Sequence, residues 1–340
     1  MKPHTLIGYA IILLQAAAAT YFAPPALGPW LGMTLGLLYF TGIWFLSGLY
    51  LSDIIHMGIT HGALDYKPWF IKTVTVVSNT VGIYVNPVTW VNRHRHHHKF
   101  ADHAGDPNKL DGDGFWKTMY LCLFPYPCQD DYAEDDILKS APFRMVANPV
   151  YAAFSQCASF GVIWLVFRDW RYALVLWGGL RIFALWVNLI QNYWTHNRRF
   201  GTRRYDDADD NAMNIGDWLP VMATFSACLQ NNHHHYPHLL RLSHDPSEFD
   251  FGFMTVRFMK WLGLVKASST GADMPPDLAL RAIGYCSALE QTSFPSCPAP
   301  SLSFSPPPAA STPFVPRSAT APMRSTSAWT SSMPGTRGRS

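Results

Sequence analysis

Histidine is the residue whose chemistry and spacing in this chain carry the most information. The chain has 14 histidines among 340 residues. Nine of them fall into four short groups: HMGITH at 56–61, HRHHH at 94–98, NYWTH at 192–196 and QNNHH at 230–234. Neutral imidazole is a good ligand for iron, zinc, copper and nickel, whereas magnesium and calcium prefer oxygen ligands. The pattern therefore indicates a site for transition metals.

The spacing within the groups predicts how they face a metal. Residues three and four apart share one face of a helix. This spacing occurs in two triplets, which are His94, His97 and His98, and Gln230, His233 and His234. Asn192 and His196 are four apart. His56 and His61 are five apart, or about 140° around an α-helix, so they are expected to flank a site at a helix end without sharing a stripe.

Eight histidines are therefore candidate metal ligands. They are His56, His61, His94, His97, His98, His196, His233 and His234. One tetrahedral zinc ion takes four ligands, so eight imidazoles match two metal ions better than one. Gln230 is a further candidate, because its amide oxygen is a neutral ligand, although a poorer one for iron than imidazole. A purification tag is excluded because neither histidine triplet is terminal.

Other residues are expected to support these ligands. A ligating imidazole normally donates its second ring N–H to an acceptor. Proximity in sequence makes six aspartates candidates for this role: Asp53, Asp65, Asp102, Asp106, Asp206 and Asp217. His4 and His244 are expected to be solvated or interfacial. Four more histidines are expected to support the ligands or to lie at the surface: His96, His103, His235 and His238.

The composition indicates a membrane protein. Only 14% of the residues are charged and 49% are hydrophobic, whereas about 25% are charged in an average soluble domain. Four apolar runs, at about 6–22, 30–51, 146–167 and 170–190, approach the roughly 20 residues that a helix needs to cross a bilayer. Residues 70–91 contain too many polar groups for a fifth span, so we expect an interfacial or re-entrant helix there.

The distribution of lysine and arginine predicts the topology. The long segment after the second run holds many lysines and arginines, and the segment after the fourth holds Arg198, Arg199, Arg203 and Arg204. This distribution favours the cytoplasmic side for both segments. Both termini and all four histidine groups then lie on that side. The sequence therefore predicts an all-α integral membrane protein, with four transmembrane helices and a cytoplasmic helical cap. A bacterial cytoplasmic membrane is expected, or the endoplasmic reticulum if the source is eukaryotic.

Further features limit the alternatives. The six cysteines show no paired spacing and are expected to be reduced. The net charge of +3 comes with no basic stripe, which argues against nucleic acid as a partner. Residues 1–266 are expected to form the membrane domain. Residues 267–340 are rich in proline, serine and alanine and are expected to be disordered.

The order and the residues of the four groups resemble the histidine motifs of the membrane-bound fatty acid desaturases, particularly the acyl-CoA Δ9 type. The stretches that carry the resemblance are WVNRHRHHHKFADHAGDP at 90–107, NYWTHNRRFGTRRYDDADDNAMNI at 192–215 and NNHHHYP at 231–237. The resemblance covers roughly residues 30–260. Gln230 departs from it, because the acyl-CoA type has histidine there and front-end desaturases have glutamine, so the position of the double bond stays open.

The resemblance implies a centre of two iron ions and the O2-dependent removal of two hydrogens from an acyl chain. The eight histidines would be its ligands, and Asn192 would hold a metal-bound water. The substrate would be a fatty acyl thioester or an acyl lipid. No haem-binding HPGG segment occurs, so a separate electron donor of the ferredoxin, rubredoxin or cytochrome b5 type is implied. Phe40 and Trp44, roughly 24 and 18 Å along the helix from His56, are expected to cap the acyl tunnel.

Two classes of alternative remain. A related di-iron membrane hydroxylase or ketolase acting on a lipid would share these histidine groups. A metal transporter or store would place ionisable residues inside the spans, and here the apolar runs are nearly free of His, Asp and Glu. A zinc protease of the HExxH type is disfavoured because that motif is absent from the sequence.

Overall fold

The computed structural model describes residues 2–109, 114–124, 131–206 and 210–268. The α-helices in these residues are α1 (Pro3–Tyr21), α2 (Gly28–Gly48), α3 (Pro68–Val81), α4 (Pro87–Phe100), α5 (Gly114–Leu123), α6 (Ala141–Ala147), α7 (Pro149–Phe167), α8 (Trp170–Leu189), α9 (Trp218–Ala223), α10 (Gln230–His235) and α11 (Phe251–Trp261). Two π-helical segments, Leu49–Thr60 and Ile190–Trp194, continue α2 and α8. The predicted tail lies outside the described residues, apart from its first two positions.

Four helices are long and apolar enough to cross a membrane, as the composition predicted. They are α1, α2, α7 and α8, and their α-helical parts begin and end within three residues of the predicted runs. The helix α1 packs against α2 and α8, and α7 packs against α8. A hydrogen bond from the Tyr172 hydroxyl to the Gly32 carbonyl, 2.5 Å long, joins α8 to α2.

Two short strands correct the expectation of an all-α fold. The strands β1 (Leu64–Tyr66) and β2 (Val265–Ser268) pair antiparallel, with Leu64 opposite Ser268. They fasten the end of the described chain to the segment that follows the first π-helix. Their partners are about two hundred residues apart, and such distant pairing leaves no local pattern in a sequence. The strand β2 therefore extends two residues beyond the expected boundary of the membrane domain at 266.

The moderately apolar stretch at 70–91 is divided between two helices. The helix α3 ends at Val81 and α4 begins at Pro87, and α3 is not one of the four helices long and apolar enough to span. Asn79 shapes the turn between them. Its side chain accepts a hydrogen bond from the Val85 amide (2.7 Å) and donates one to the Thr75 carbonyl (2.8 Å).

Two histidines expected at the surface are buried, so those predictions were wrong. The His4 side chain has no exposed surface, and its Nε2 lies 3.0 Å from an oxygen of Asp217. The Trp186 indole also donates a hydrogen bond to the His4 carbonyl (2.8 Å). His244 is 4% exposed, with its Nδ1 3.1 Å from the Tyr205 hydroxyl. In both cases a distant polar partner compensates the burial, and the local sequence does not reveal that partner.

The junction of α2 with its π-helical continuation offers a test of the packing. A Cβ atom on Gly48 would lie 2.0 Å from the ring of Phe225, whereas one on Gly42 would meet nothing within 4 Å. We expect Gly48→Ala to destabilise the protein by about 1–3 kcal/mol through overpacking. Gly42→Ala should leave stability unchanged or raise it by up to about 1 kcal/mol, since alanine is the better helix former. Equal thermal unfolding temperatures for both variants in detergent would contradict the packing described at Gly48.

Candidate metal centre

The two π-helical segments position the first and third histidine groups. The His61 amide donates to the His56 carbonyl (3.1 Å), a hydrogen bond that joins residues five apart. Residues five apart therefore lie one above the other, unlike in an α-helix. The rings of His56 and His61 come within 4.9 Å, centroid to centroid. The expectation that these two histidines would only flank the site was wrong, because it assumed α-helical geometry.

The second group lies on α4, which begins with a capped turn. The Asn86 side chain accepts a hydrogen bond from the Thr89 amide (3.2 Å), and Pro87 occupies the first turn. Both features favour the start of a helix. Since α4 ends at Phe100, its last turns carry His94, His97 and His98.

The last group lies on the six-residue helix α10, which is held by a buried asparagine. The Asn232 side chain donates to the Leu242 carbonyl (2.8 Å) and to Glu248 Oε2 (2.9 Å). Its backbone amide donates to Asn214 Oδ1 (3.1 Å). Asn232 lies directly before His233, so these hydrogen bonds fix the direction of the histidines that follow. The role of Asn232 was not predicted from the sequence.

All eight predicted histidines come together, and they form two groups. The first group contains His56, His61, His94, His98 and His233. The second group contains His97, His196 and His234. Within each group, one ring nitrogen from every member lies within 4.8 Å of those of the others. The adjacent pairs 97–98 and 233–234 are divided between the groups, so α4 and α10 each contribute to both.

The distances among the ring nitrogens test whether a metal fits. His233 Nε2 lies 3.0 Å from His56 Nε2 and 3.1 Å from His98 Nε2, and His98 Nε2 lies 3.0 Å from His94 Nε2. A neutral ring nitrogen carries either one hydrogen or one lone pair. A nitrogen with two nitrogen neighbours therefore forms a hydrogen bond with only one of them, whereas a cation between lone pairs satisfies all of them. This donor set fits a transition metal.

Three aspartates orient the members of the second group. His97 Nδ1 lies 2.9 Å from both oxygens of Asp106, and His196 Nδ1 lies 3.1 Å from Asp102 Oδ2. His234 Nδ1 lies 3.2 Å from Asp210 Oδ2. A donated Nδ1–H leaves the Nε2 lone pair for a metal and fixes the ring orientation.

Asp102 and Asp106 were predicted from the sequence for this role, but Asp210 was not. Asp210 is one of several acids in YDDADDN, and spacing alone does not distinguish among them. The other four candidates have different partners. Asp53 accepts from Thr255, Asp65 pairs with Lys266, Asp206 pairs with Arg203 and Asp217 contacts His4. His238, expected to support the ligands or lie at the surface, contacts the His61 carbonyl through Nδ1 (2.7 Å).

Burial sets the protonation of the first group. Loss of solvation lowers the pKa of His61, His94, His98 and His233 well below the usual value, and repulsion from neighbouring imidazoles lowers it further. These rings are therefore neutral near pH 7, which is the state that binds a metal.

In the second group, neighbouring carboxylates also affect the pKa values of the histidines. Burial alone would lower the pKa of His196, but the hydrogen bond and the negative charge of Asp102 outweigh it, and the pKa is raised. Burial would likewise raise the pKa of Asp102, yet the interaction with His196 lowers it. Asp102 is therefore ionised near pH 7 and keeps its acceptor role toward His196.

A cavity of about 580 Å³ adjoins the histidine groups. Its wall includes four of the candidate ligands, His56, His94, His97 and His196. Asn192 and Gln230 also line it, and Gln230 Nε2 lies 3.0 Å from His234 Nε2. The volume is within the range of small-molecule sites. Both amide side chains are thus within the site, and their roles at a metal stay predictions.

Phe40 and Trp44 are not among the residues that line this cavity. The Phe40 ring packs against Phe183 at 5.0 Å between centroids. The Trp44 indole donates to the Ala223 carbonyl (3.2 Å) and stacks on Phe251 at 5.9 Å. The depth of both residues along α2 was derivable from the helical rise, but the direction they face depends on the helices packed around them. Their role as a cap of the acyl tunnel stays a prediction.

The position of Gln230 gives a prediction for the second group. We expect Gln230→Ala to lower activity at least about tenfold, because an amide beside His234 is lost from the site. Gln230→His should keep its metal, since imidazole is the better ligand for iron. Metal content and turnover should be measured together. Full metal content and normal turnover in Gln230→Ala would show that Gln230 is not part of the site.

The helices and the two histidine groups define a class of protein. These are helical proteins with apolar spans and clustered imidazoles beside a cavity. Residues 28–244 match the fatty acid desaturase family. The chain belongs to this family and is an oxidoreductase.

Named relatives share much of the chain. The sn-1 stearoyl-lipid 9-desaturase of Synechocystis sp. is 26% identical over 272 residues, which are 79% of each chain. The sn-2 palmitoyl-lipid 9-desaturase of Nostoc sp. is 27% identical over 260 residues, 72% of this chain and 86% of that protein. The hex-5-enoyl-[acyl-carrier protein] acetylenase of Moorena producens is 26% identical over 248 residues, 68% of this chain and 75% of that protein.

Proposed function

We propose that this chain is an O2-dependent desaturase that introduces a cis double bond of the Δ9 type into a fatty acyl chain. The observation that carries the proposal is the pair of histidine groups, in which all eight predicted imidazoles are present and four of them line a cavity of about 580 Å³. The 9-desaturases among the relatives support the position of the double bond.

Two iron ions would be held by these groups, one by His56, His61, His94, His98 and His233 and one by His97, His196 and His234. Bound iron would supply the chemistry that couples reduction of O2 to removal of hydrogen from an unactivated carbon. Asn192 and Gln230 would orient water or substrate at the second group. The overall reaction takes two hydrogens from adjacent methylenes and two electrons and two protons from outside, and it forms two molecules of water.

The outside electrons would come from a separate protein of the ferredoxin, rubredoxin or cytochrome b5 type. We propose that the histidine groups and both termini lie on the cytoplasmic side, where such donors are found. The excess of lysine and arginine in the segments after the second and fourth spans supports this sidedness. The membrane would be the bacterial cytoplasmic membrane, or the endoplasmic reticulum in a eukaryote.

One experiment tests the reaction. The chain should be expressed in a host that cannot make unsaturated fatty acids, and the lipids should be analysed by mass spectrometry with location of double bonds. We expect a cis double bond at carbon 9. A hydroxylated or ketone product would instead identify the chain as a hydroxylase or a ketolase. If the iron-loaded protein forms no new product, the proposal is refuted. Metal analysis of the active protein should give about two irons per chain, and zinc without iron would exclude the di-iron centre.

A further inference from the structure

The helix α5 separates the cavity from the outside of the molecule, and its two faces differ. Thr118, Leu121 and Cys122 face inward and line the cavity. The opposite face carries large apolar side chains four residues apart. Trp116 is 70% exposed, Tyr120 60% and Phe124, which directly follows the helix, 61%.

The end of α5 is the most exposed part of the cavity wall. Among the wall residues that the structure describes, Leu123 is the one whose side chain is largely exposed, at 53%. The others are buried or half-buried. The exposed neighbours of Leu123 are Tyr120 on this helix and Phe124 directly after it. The part of the surface around Leu123 that α5 contributes is therefore apolar.

The helix α5 is fixed against a candidate span. Its first residue, Gly114, lies so close to Tyr193 that a Cβ atom there would be 2.8 Å from the tyrosine ring. Phe115 contacts the same ring at 5.3 Å between centroids. At the other end, the Arg93 guanidinium donates to the Leu121 carbonyl (3.4 Å). The helix thus begins at the end of the span formed by α8 and its π-helical continuation.

The surface of α8 shows what would cover the outer face of α5. This span exposes apolar side chains such as Leu174 and Ile182, and such a surface is covered by lipid in a membrane protein. The helix α5 packs against α8, so its aromatic face continues the lipid-covered surface. Tryptophan and tyrosine are enriched where a membrane meets water, and helices with one apolar face lie in that plane.

We infer that the cavity opens into the bilayer at Leu123, beside α5, and that the acyl chain enters from a membrane glycerolipid and not from a water-borne thioester. This inference rests on the proposed function and names the carrier of its substrate. An apolar rim suits an acyl chain that is already in the membrane. A thioester carrier would need a polar surface at the mouth for its charged group.

A cross-linking experiment tests the position of the opening without turnover. A photoreactive amino acid at Leu123 should capture lipid in vesicles of radiolabelled distearoyl phosphatidylglycerol and dioleoyl phosphatidylcholine. The same amino acid at Arg199, an exposed position beside the exposed Arg198, should capture at least tenfold less. Equal capture at both positions, or capture of a second copy of the chain at Leu123, would overturn the inference.

A comparison of two substrates tests whether a lipid or a thioester carries the acyl chain. The iron-loaded, full-length protein with a chemical electron source should be given a stearoyl group either in vesicle phosphatidylglycerol or as stearoyl-coenzyme A in water. We expect the double bond in the vesicle lipid. Desaturation of the thioester alone would overturn the inference and leave the proposed reaction intact. Activity in neither form would refute the proposed function, and the cross-linking result would still decide where the cavity opens.

Variants on the outer face of α5 separate this role from folding. Tyr120→Asp should lower turnover of vesicle lipid at least tenfold while iron content stays normal, because the helix no longer lies in the apolar layer. Tyr120→Phe, which keeps an aromatic ring at this position, should have the turnover of the parent protein. Trp261→Asp on α11 is the matched control, because Trp261 is 78% exposed and does not line the cavity. Equal losses in Tyr120→Asp and Trp261→Asp would contradict a specific role for α5.

Discussion

Replacing His233 by alanine is expected to abolish desaturation and to empty the first histidine group of metal. His233 Nε2 lies within 3.0 Å of His56 Nε2 and 3.1 Å of His98 Nε2, so its lone pair is at the centre of that donor set. Loss of a residue that merely orients a ligand costs about 10- to 100-fold, and loss of the ligand should cost more. Turnover should therefore fall more than about 100-fold. Iron per chain, measured on purified protein, should fall by about half.

The neighbouring histidine provides a control in the same helix. His235 is in neither group, and its ring stacks on Tyr205 with the centroids 4.0 Å apart. His235→Ala should keep its iron and most of its turnover. If His233→Ala keeps two irons while His235→Ala loses one, the assignment of these two residues is reversed.

Removing the negative charge of Asp210 should produce the second-largest effect. Asp210 Oδ2 accepts from His234 Nδ1 (3.2 Å), and Asp210 Oδ1 accepts from Arg203 (3.0 Å). Asp210→Asn keeps the size of the side chain but lets its amide turn an N–H toward the imidazole. The His234 ring then loses the acceptor that fixes its tautomer. We expect metal affinity or activity to fall about 10- to 100-fold.

Asp206 is the matched control for this prediction. It pairs with the same arginine, Arg203, through a 2.9 Å contact, but its side chain is 87% exposed and contacts no histidine of the two groups. Asp206→Asn should leave iron binding within about twofold of the parent, as expected for a surface ion pair. Iron titrations of both variants should be compared in the same detergent. Similar iron affinity in Asp210→Asn and the parent would show that His234 does not depend on this carboxylate.

The spans and the identity of the clustered histidines were accessible from sequence because they depend on local properties. Twenty apolar residues in a row form a helix suited to a bilayer wherever they occur, and the spacing of His94, His97 and His98 determines their common face. Neither conclusion needs knowledge of distant residues. The same reasoning failed for His4, whose burial depends on Asp217, more than two hundred residues away.

The division of the histidines into two groups was not accessible in the same way. His97 and His98 are adjacent, yet they join different groups because α4 passes between them. Asp210 was missed for a similar reason, since its role arises from the path of the chain back towards α10. The direction of Phe40 and Trp44 also depends on neighbouring helices. Local periodicity predicts which residues share a face, and only tertiary packing determines what that face contacts.

The π-helical turn between His56 and His61 allows two spacings of this motif to place their histidines on one face. A π-turn contains one residue more than the α-helical turn that would otherwise occupy the same place. Deleting Ile59 would allow the α-helical hydrogen bond to return, and the two histidines, then four residues apart, would still share one face. Inserting a residue would instead rotate His61 by about 100° away from its neighbours. Variation in the length of this motif is therefore expected to be confined to the loss of one residue.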